Sequence, residues 1–236
     1  MLKEFKKYVN TFDLSIKEID VKYNHSLRVM NLCVNIARSL NLNTSDVTLA
    51  KEIGLLHDYA RFIQWKKYKT FNDKTSFDHG NKAVELLFNN EDIIKYKVKL
   101  THYDIIKKAI YYHNKYKIDK PLNKKDLMFC NIVRDADKID ILEIFINNIY
   151  NNVSTSYNVN NDIKEMFFNH KPILIKRKLT PAEAHITRMA FIYDMNFKYS
   201  FNYIKETKLL LRYKTYLNDK QYDIYFDEIN KFMEDK

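Results

Sequence analysis

Residues 54–61 read Gly-Leu-Leu-His-Asp-Tyr-Ala-Arg, which sets an imidazole, His57, beside a carboxylate, Asp58, at the end of an apolar run. Such a pair is expensive to hold near a core unless something binds it, and a metal ion suits it best. Five of the seven histidines, His25, His57, His79, His102 and His113, fall between positions 25 and 113, four of them at the beginning or end of helical patterns. Imidazole and carboxylate together suit Mn, Fe, Co, Ni or Zn, and histidines on separate helices can converge in a bundle core. Two histidines and two aspartates would leave two positions of an octahedral ion open to water and none on tetrahedral zinc. Mn, Fe, Co or Ni therefore fit a catalytic site better than a closed structural zinc.

The elements that must position these groups read as helices. Residues 1–20 form a short helical arm, and 24–40 an amphipathic core helix with Leu27, Met30, Val34 and Ala37 at 3.6-residue spacing, extended by Cys33, Ile36 and Leu40, and with His25 at its start. Ser45 and Asp46 mark a helix start, and the next helix runs from Val47 to about Phe62. In it Leu49, Ile53 and Leu56 form the buried stripe, while Ala50, Gly54, His57 and Arg61 share an adjacent strip. Gly54 inside that helix suggests close approach by another helix or a ligand.

Residues 64–77 read as a long polar, aromatic and basic connection, and such connections are more often functional than idle. Asp78 then caps a helix with Ala83, Val84, Leu87 and Phe88 on its apolar face. Another helix spans 105–116, and a third starts at Asn123 and leads into Arg134–Leu142. Residues 146 to about 162 link rather than fold. Thr180-Pro181-Ala182-Glu183 is a capping box, and 201–236 reads as two further helices.

Composition bounds the reading. A chain of 236 residues that is 46% hydrophobic can bury a full core, and it holds no apolar run long enough for a membrane span. The charged N-terminus lacks a secretory stretch, so a cytoplasmic location is expected. Cys33 and Cys130 each lie within an apolar helical pattern and read as buried thiols. Two glycines and three prolines leave little material for hairpins, so the fold class is all-α. The net charge of +10 attracts phosphate-bearing partners without separating nucleic acid from a small nucleotide.

His25, His57-Asp58 and Asp137, in that order, resemble the H…HD…D signature of the HD-domain metal-dependent phosphohydrolases. The surrounding segments are similar too: 55–62, 70–73, 78–80, 109–115 and 134–138. The resemblance covers roughly residues 20–145 and implies an HD-domain helical bundle over 1–145 with a helical extension over 146–236. It implies that His25, His57, Asp58 and Asp137 ligate a first metal, and that His79 and His113 supply a second, bridged by Asp58. His102, eleven residues before His113, is the one candidate to replace it. Two metals can activate water and stabilise the attacking and leaving oxygens of a displacement at phosphorus.

Beside this set, Arg61 reads as a phosphate clamp or a salt bridge, and Lys115 and Lys138 as phosphate-holding charges. The catalytic assignment is Asp58, Arg61 and Lys115. Asp135 reads as an acid supporting the ligands, Asp140 as solvated or salt-bridged, and His170 and His185 as structural. The aromatic residues of the 65–77 connection suit stacking on a base. The cofactor expected is a divalent transition metal, two per chain, Mn, Fe, Co or Ni with Zn or Mg as alternatives. The partner is a phosphate-containing small molecule of nucleotide type; nucleic acid is not favoured, no membrane is involved, and an oligomer is compatible. The HHE and GYP elements of HD-GYP phosphodiesterases and the ED pair of guanosine tetraphosphate hydrolases are missing from the sequence. The competing class is a non-catalytic or regulatory HD-scaffold module that binds nucleic acid or nucleotide.

Overall fold

The computed structural model describes residues 1–147 and 158–236. Among the described residues there is no strand, as the turn-poor composition requires, and no helix is long and apolar enough to cross a membrane. The chain divides into two compact units, Met1–Ala136 and Asp137–Lys236.

The first unit begins with α1 (Leu2–Val9), α2 (Lys17–Ser39), α3 (Thr44–Leu56) and α4 (Arg61–Tyr68). It continues with α5 (His79–Val84), extended by a π turn over Glu85–Asn89, then α6 (Tyr103–Tyr112) and the first half of α7 (Lys124–Ile146). Helix α2 packs along α3, α3 against α6, and α5 against α6. α1 covers the turn after α3: the Tyr8 ring stacks on Tyr59 at 4.0 Å, and its hydroxyl donates to the Tyr59 carbonyl at 2.9 Å.

Helix α2 starts earlier than its apolar spacing suggests, so His25 lies within it rather than at its start. Its buried face carries His25, Val29, Leu32 and Ile36, spaced 4, 3 and 4 residues apart, while Leu27 and Val34 are only half-buried. Of the expected stripe Met30, Cys33, Ile36 and Ala37 are buried and Leu27, Val34 and Leu40 only partly so, and His25 falls on the buried side.

The helix expected over 47–62 is two helices. Asn43, rather than Ser45, caps α3 by accepting from the Asp46 amide at 3.0 Å. The break falls at His57, whose Nδ1–H donates to the Gly54 carbonyl at 2.8 Å. A continuing helix would offer that carbonyl to the amide of Asp58. Residues 57–60 instead turn with short-range bonds, the Tyr59 amide to Leu56 and the Arg61 amide to Asp58. Arg61 therefore opens α4 and does not share a helix face with His57.

Helix α4 then runs through the start of the expected 64–77 connection and stops where Lys69 adopts a left-handed φ of 53°. It persists because Gln64 is fully buried and its amide donates to Asp73, Ser76 and the Phe77 carbonyl, folding the loop back on the helix.

Gly54 is a point of close approach by a helix. A Cβ there would lie 2.8 Å from Met30 Cα and 2.9 Å from Cys33 Sγ. Because the first obstacle is backbone, Gly54→Ala must push α2 and α3 apart. We expect a loss of about 1–3 kcal/mol in stability by urea denaturation of the metal-free protein, with weaker metal binding as His25 is drawn away from His57.

The second unit holds the rest of α7, α8 (Asn161–Phe168), α9 (Pro181–Met189), α10 (Lys198–Glu206), α11 (Leu209–Leu217) and α12 (Asp223–Glu234). The segment expected to link, 146 to about 162, lies largely in 148–157, outside the described residues; its end already belongs to α8. The capping box forms as read: Thr180 accepts from the Glu183 amide, and Glu183 accepts from the Thr180 amide. Arg177 clamps the buried Glu183, its Nη1 donating at 2.7 Å, which holds that carboxyl well below its ordinary range. Beyond residue 197 there are three α-helices rather than two, because Lys208 takes a left-handed φ of 51° between α10 and α11.

Candidate metal centre

Two helix ends build half of the centre by one device. His57 is the first residue past α3 and His113 the first past α6. Each donates Nδ1–H to the carbonyl three residues back, His57 to Gly54 at 2.8 Å and His113 to Ile110 at 2.6 Å. Terminal helix carbonyls lack intrahelical partners, so these bonds satisfy them and turn each Nε2 toward Asp58.

His79 opens α5 behind its cap Asp78, which accepts from the Asn81 amide at 2.9 Å. Its Nδ1 lies 2.5 Å from Asp73 Oδ2, and Asp73 also accepts from Arg61 Nη1 and Gln64 at 2.9 Å. Gly80 lets α5 come this close to α6, since a Cβ there would meet Asn114 Oδ1 at 2.6 Å and the Ile110 carbonyl at 3.0 Å. Burial, followed by the Arg61 charge, pushes the His79 imidazole down to about 4, overriding Asp73 and Asp58. The ring is therefore neutral near pH 7. With its proton held on Nδ1 by Asp73, its Nε2 is a bare lone pair.

The four rings meet in two pairs. His25 Nε2 and His57 Nε2 lie 3.2 Å apart, and His79 Nε2 and His113 Nε2 lie 2.9 Å apart. Asp58 sits between them, its Oδ2 3.4 Å from His25 and 3.6 Å from His57. Its Oδ1 is 3.4 Å from His79 and 3.6 Å from His113. Each carboxylate oxygen thus belongs to one triad, and in each triad the ligating atoms lie within 4.8 Å of one another. Donors at about 2.1 Å from a common ion stand roughly 3.0–3.4 Å apart at octahedral to tetrahedral angles, so both triads suit one. All five residues are almost wholly buried. His79 and His113, each with its proton on Nδ1, face one another with Nε2 lone pairs, which repel in such surroundings unless a cation lies between them.

Burial alone would raise the Asp58 carboxyl, but the Lys22 ammonium, then His57 and the neighbouring imidazoles of His113 and His25, hold it well below its ordinary range. Lys22 Nζ is 2.7 Å from Asp58 Oδ2. Burial likewise opposes ionisation of Asp73, and its contacts with His79, Arg61 and Gln64 overcome it. Both acids are carboxylates at neutral pH.

The other candidate residues stand as follows. Asp137 is the first residue of the second unit and lies in the continuous helix α7. Arg61 approaches Asp58 Oδ1 with Nε at 3.5 Å, but its Nη1 donates to Gln64, the Phe71 carbonyl and Asp73. Lys115 is engaged at the start of α5, where its ammonium pairs with Asp78 and donates to Asn81 at 2.9 Å. Lys138 pairs with Asp194 at 2.7 Å. His102 is not on the α-helix of His113 but in a 3-10 turn ahead of it, and pairs with Glu52 at 2.7 Å. His170 pairs with Glu228, and His185 lies 2.8 Å from the Tyr213 hydroxyl.

Lys22 and Asp73 are the participants that reading the sequence passed over. Lys22 lies three residues before His25, a spacing that puts both on one helix face, and Asp73 lies six before His79. Asp73→Ala is expected to lower metal affinity roughly 10–100-fold by freeing the His79 ring and proton, measured by titration of the metal-free protein with Mn.

No curated protein and no solved structure matches the chain. A family model described as HD domain matches residues 23–143, a span that includes every side chain of the two triads. The two histidine–carboxylate triads thus lie in a match covering half of the chain, and the chain belongs to the HD-domain family.

Proposed function

We propose that the protein is a metal-dependent phosphohydrolase that uses two divalent transition ions to cleave a phosphomonoester or phosphodiester of a nucleotide-like molecule. The observation that carries this reading is the paired arrangement of imidazole Nε2 atoms on opposite oxygens of Asp58. His25, His57 and Asp58 would hold one ion, and Asp58, His79 and His113 the other. Asp137 is assigned to the first ion on the motif and on helical spacing. The buried Arg134, three residues earlier in α7, donates to the carbonyls of Tyr112 and Lys115 on either side of His113, and i,i+3 neighbours share a helix face.

When bound, such a pair of ions lowers the pKa of a bound water and neutralises charge at the phosphoryl group. The chain's own residues do the rest. Gly54 and Ile110 carbonyls and the Asp73 carboxylate keep the imidazole protons on Nδ1 and fix the rings. Arg61 and Lys22 stand at the rim around the Phe71 ring, at 5.6 and 5.4 Å from its centroid, and place positive charge where a phosphate would enter. Trp65 lies beside Phe71 at 5.0 Å, which supports an aromatic surface for a base. We assign Lys115 to holding α5, and through it His79, rather than to the phosphate.

The test is hydrolysis of bis-p-nitrophenyl phosphate, then of a panel of nucleotides, with Mn, Fe, Co and Ni. Turnover that depends on added metal is expected. Silence across the panel, with salt-sensitive nucleic-acid binding in its place, would favour the regulatory module.

A further inference from the structure

We propose that Lys22 is a metal-released phosphate-binding residue: its ammonium neutralises Asp58 in the metal-free chain and turns to the incoming phosphate once a metal takes that carboxylate. This rests on the two-metal reading above and assigns one residue a role in that site.

The argument begins with a competition for one oxygen. Lys22 Nζ lies 2.7 Å from Asp58 Oδ2, the same oxygen that faces His25 and His57 at 3.4 and 3.6 Å. An ion bound by that triad would take this oxygen and would repel the ammonium beside it. The two cations at the rim differ in what happens next. Arg61 keeps its own counter-ion, because Asp73 accepts from its Nη1 at 2.9 Å whatever occupies Asp58. Lys22 has Asp58 alone as ion-pair partner among the described residues. Metal loading therefore leaves Lys22, rather than Arg61, with charge to neutralise.

Geometry provides somewhere for it to go. Lys22 lies one turn before His25 in α2, and its side chain retains 14% exposure where His25 has none. Its ammonium is 5.4 Å from the Phe71 ring, which also receives Arg61 at 5.6 Å. A flexible four-carbon stem can swing a short way outward along that ring, and a phosphate at the rim would meet two cations. Binding of metal and of phosphate then become linked, each favouring the other.

The test is calorimetric titration without turnover. Mn is titrated into metal-free wild type, Lys22→Met and Lys22→Arg, and inorganic phosphate into each Mn-loaded protein. In Lys22→Met, Mn should bind roughly fivefold more tightly or better, because the competing ammonium is gone, while phosphate binds about tenfold more weakly. Lys22→Arg should restore phosphate affinity. If metal-free Lys22→Met is unfolded by its uncompensated buried carboxylate, Mn should refold it, and Lys22→Gln should show the same opposed shifts.

A residue that merely shapes the site would weaken Mn binding on substitution. That result, or unchanged phosphate affinity, would overturn the proposal and leave the metal centre standing. Wild type that binds no Mn would overturn both.

Discussion

Asp58→Ala is expected to abolish metal-dependent phosphoester hydrolysis, by at least about a thousandfold in kcat/KM, and to remove both ions together. No other side chain at the centre has an atom in each triad: Oδ2 faces His25 and His57, and Oδ1 faces His79 and His113. Truncation also leaves Lys22 without its partner. Loss of one member of a buried ion pair typically costs about 3–5 kcal/mol, though Lys22 can reach solvent and Arg61 retains Asp73, so the loss here should lie at or below the lower end. Asp58→Asn separates the two effects. It keeps the shape and one acceptor oxygen, removes the charge, and should fold with near-native circular dichroism while its hydrolysis remains abolished. Robust turnover by Asp58→Asn with added Mn would contradict the bridging role.

A second large effect distinguishes the two halves of the centre. His25→Ala and His79→Ala should each reduce the metal content from two ions per chain to one while leaving the other triad filled. The separation follows from the geometry, because His25 approaches His57 and Oδ2 whereas His79 approaches His113 and Oδ1. The variants should differ in how they respond to Asp73. Adding Asp73→Ala to His25→Ala should weaken the surviving ion, since Asp73 holds the His79 proton, whereas adding it to His79→Ala should change metal affinity little. The check is metal analysis of each purified variant after dialysis, followed by Mn titration. Loss of both ions from either single variant would mean that the triads are one site.

The sequence shows the chemistry of the centre better than its local backbone. His57-Asp58 is legible because adjacency of imidazole and carboxylate is visible without any structure, and its order with His25, His79 and His113 carries a family pattern. The helix break at His57 is not legible, because the apolar spacing of Leu49, Ile53 and Leu56 extends at the same period to Ala60, past the residue where His57 takes the Gly54 carbonyl. For the same reason the expected strip from His57 to Arg61 fails: periodicity assumes a helix that the histidine itself ends. His102 fails likewise, since an eleven-residue spacing means a shared face only inside one α-helix, and His102 precedes α6 and pairs with Glu52.

Lys22 and Asp73 escape attention for a different reason. Lysines and aspartates are common in this chain; Asp73 lies in a segment of the family resemblance, but nothing there marks it as the partner of His79, and nothing around Lys22 marks that residue. Lys22 is identified by its distance to a carboxylate 36 positions away, and Asp73 by a loop that Gln64 folds back onto α4. Gly54 was readable because one of only two glycines in the chain sits in a helical pattern, and the backbone of α2 fills the space a side chain would need.

The most direct measurement is the metal content of the wild-type chain, purified, stripped with chelator, reloaded with Mn and dialysed, then weighed intact by native mass spectrometry. The paired triads predict two ions per chain, with the count falling to zero in Asp58→Ala. Fewer than one ion per wild-type chain would contradict the metal centre and the hydrolytic function built on it.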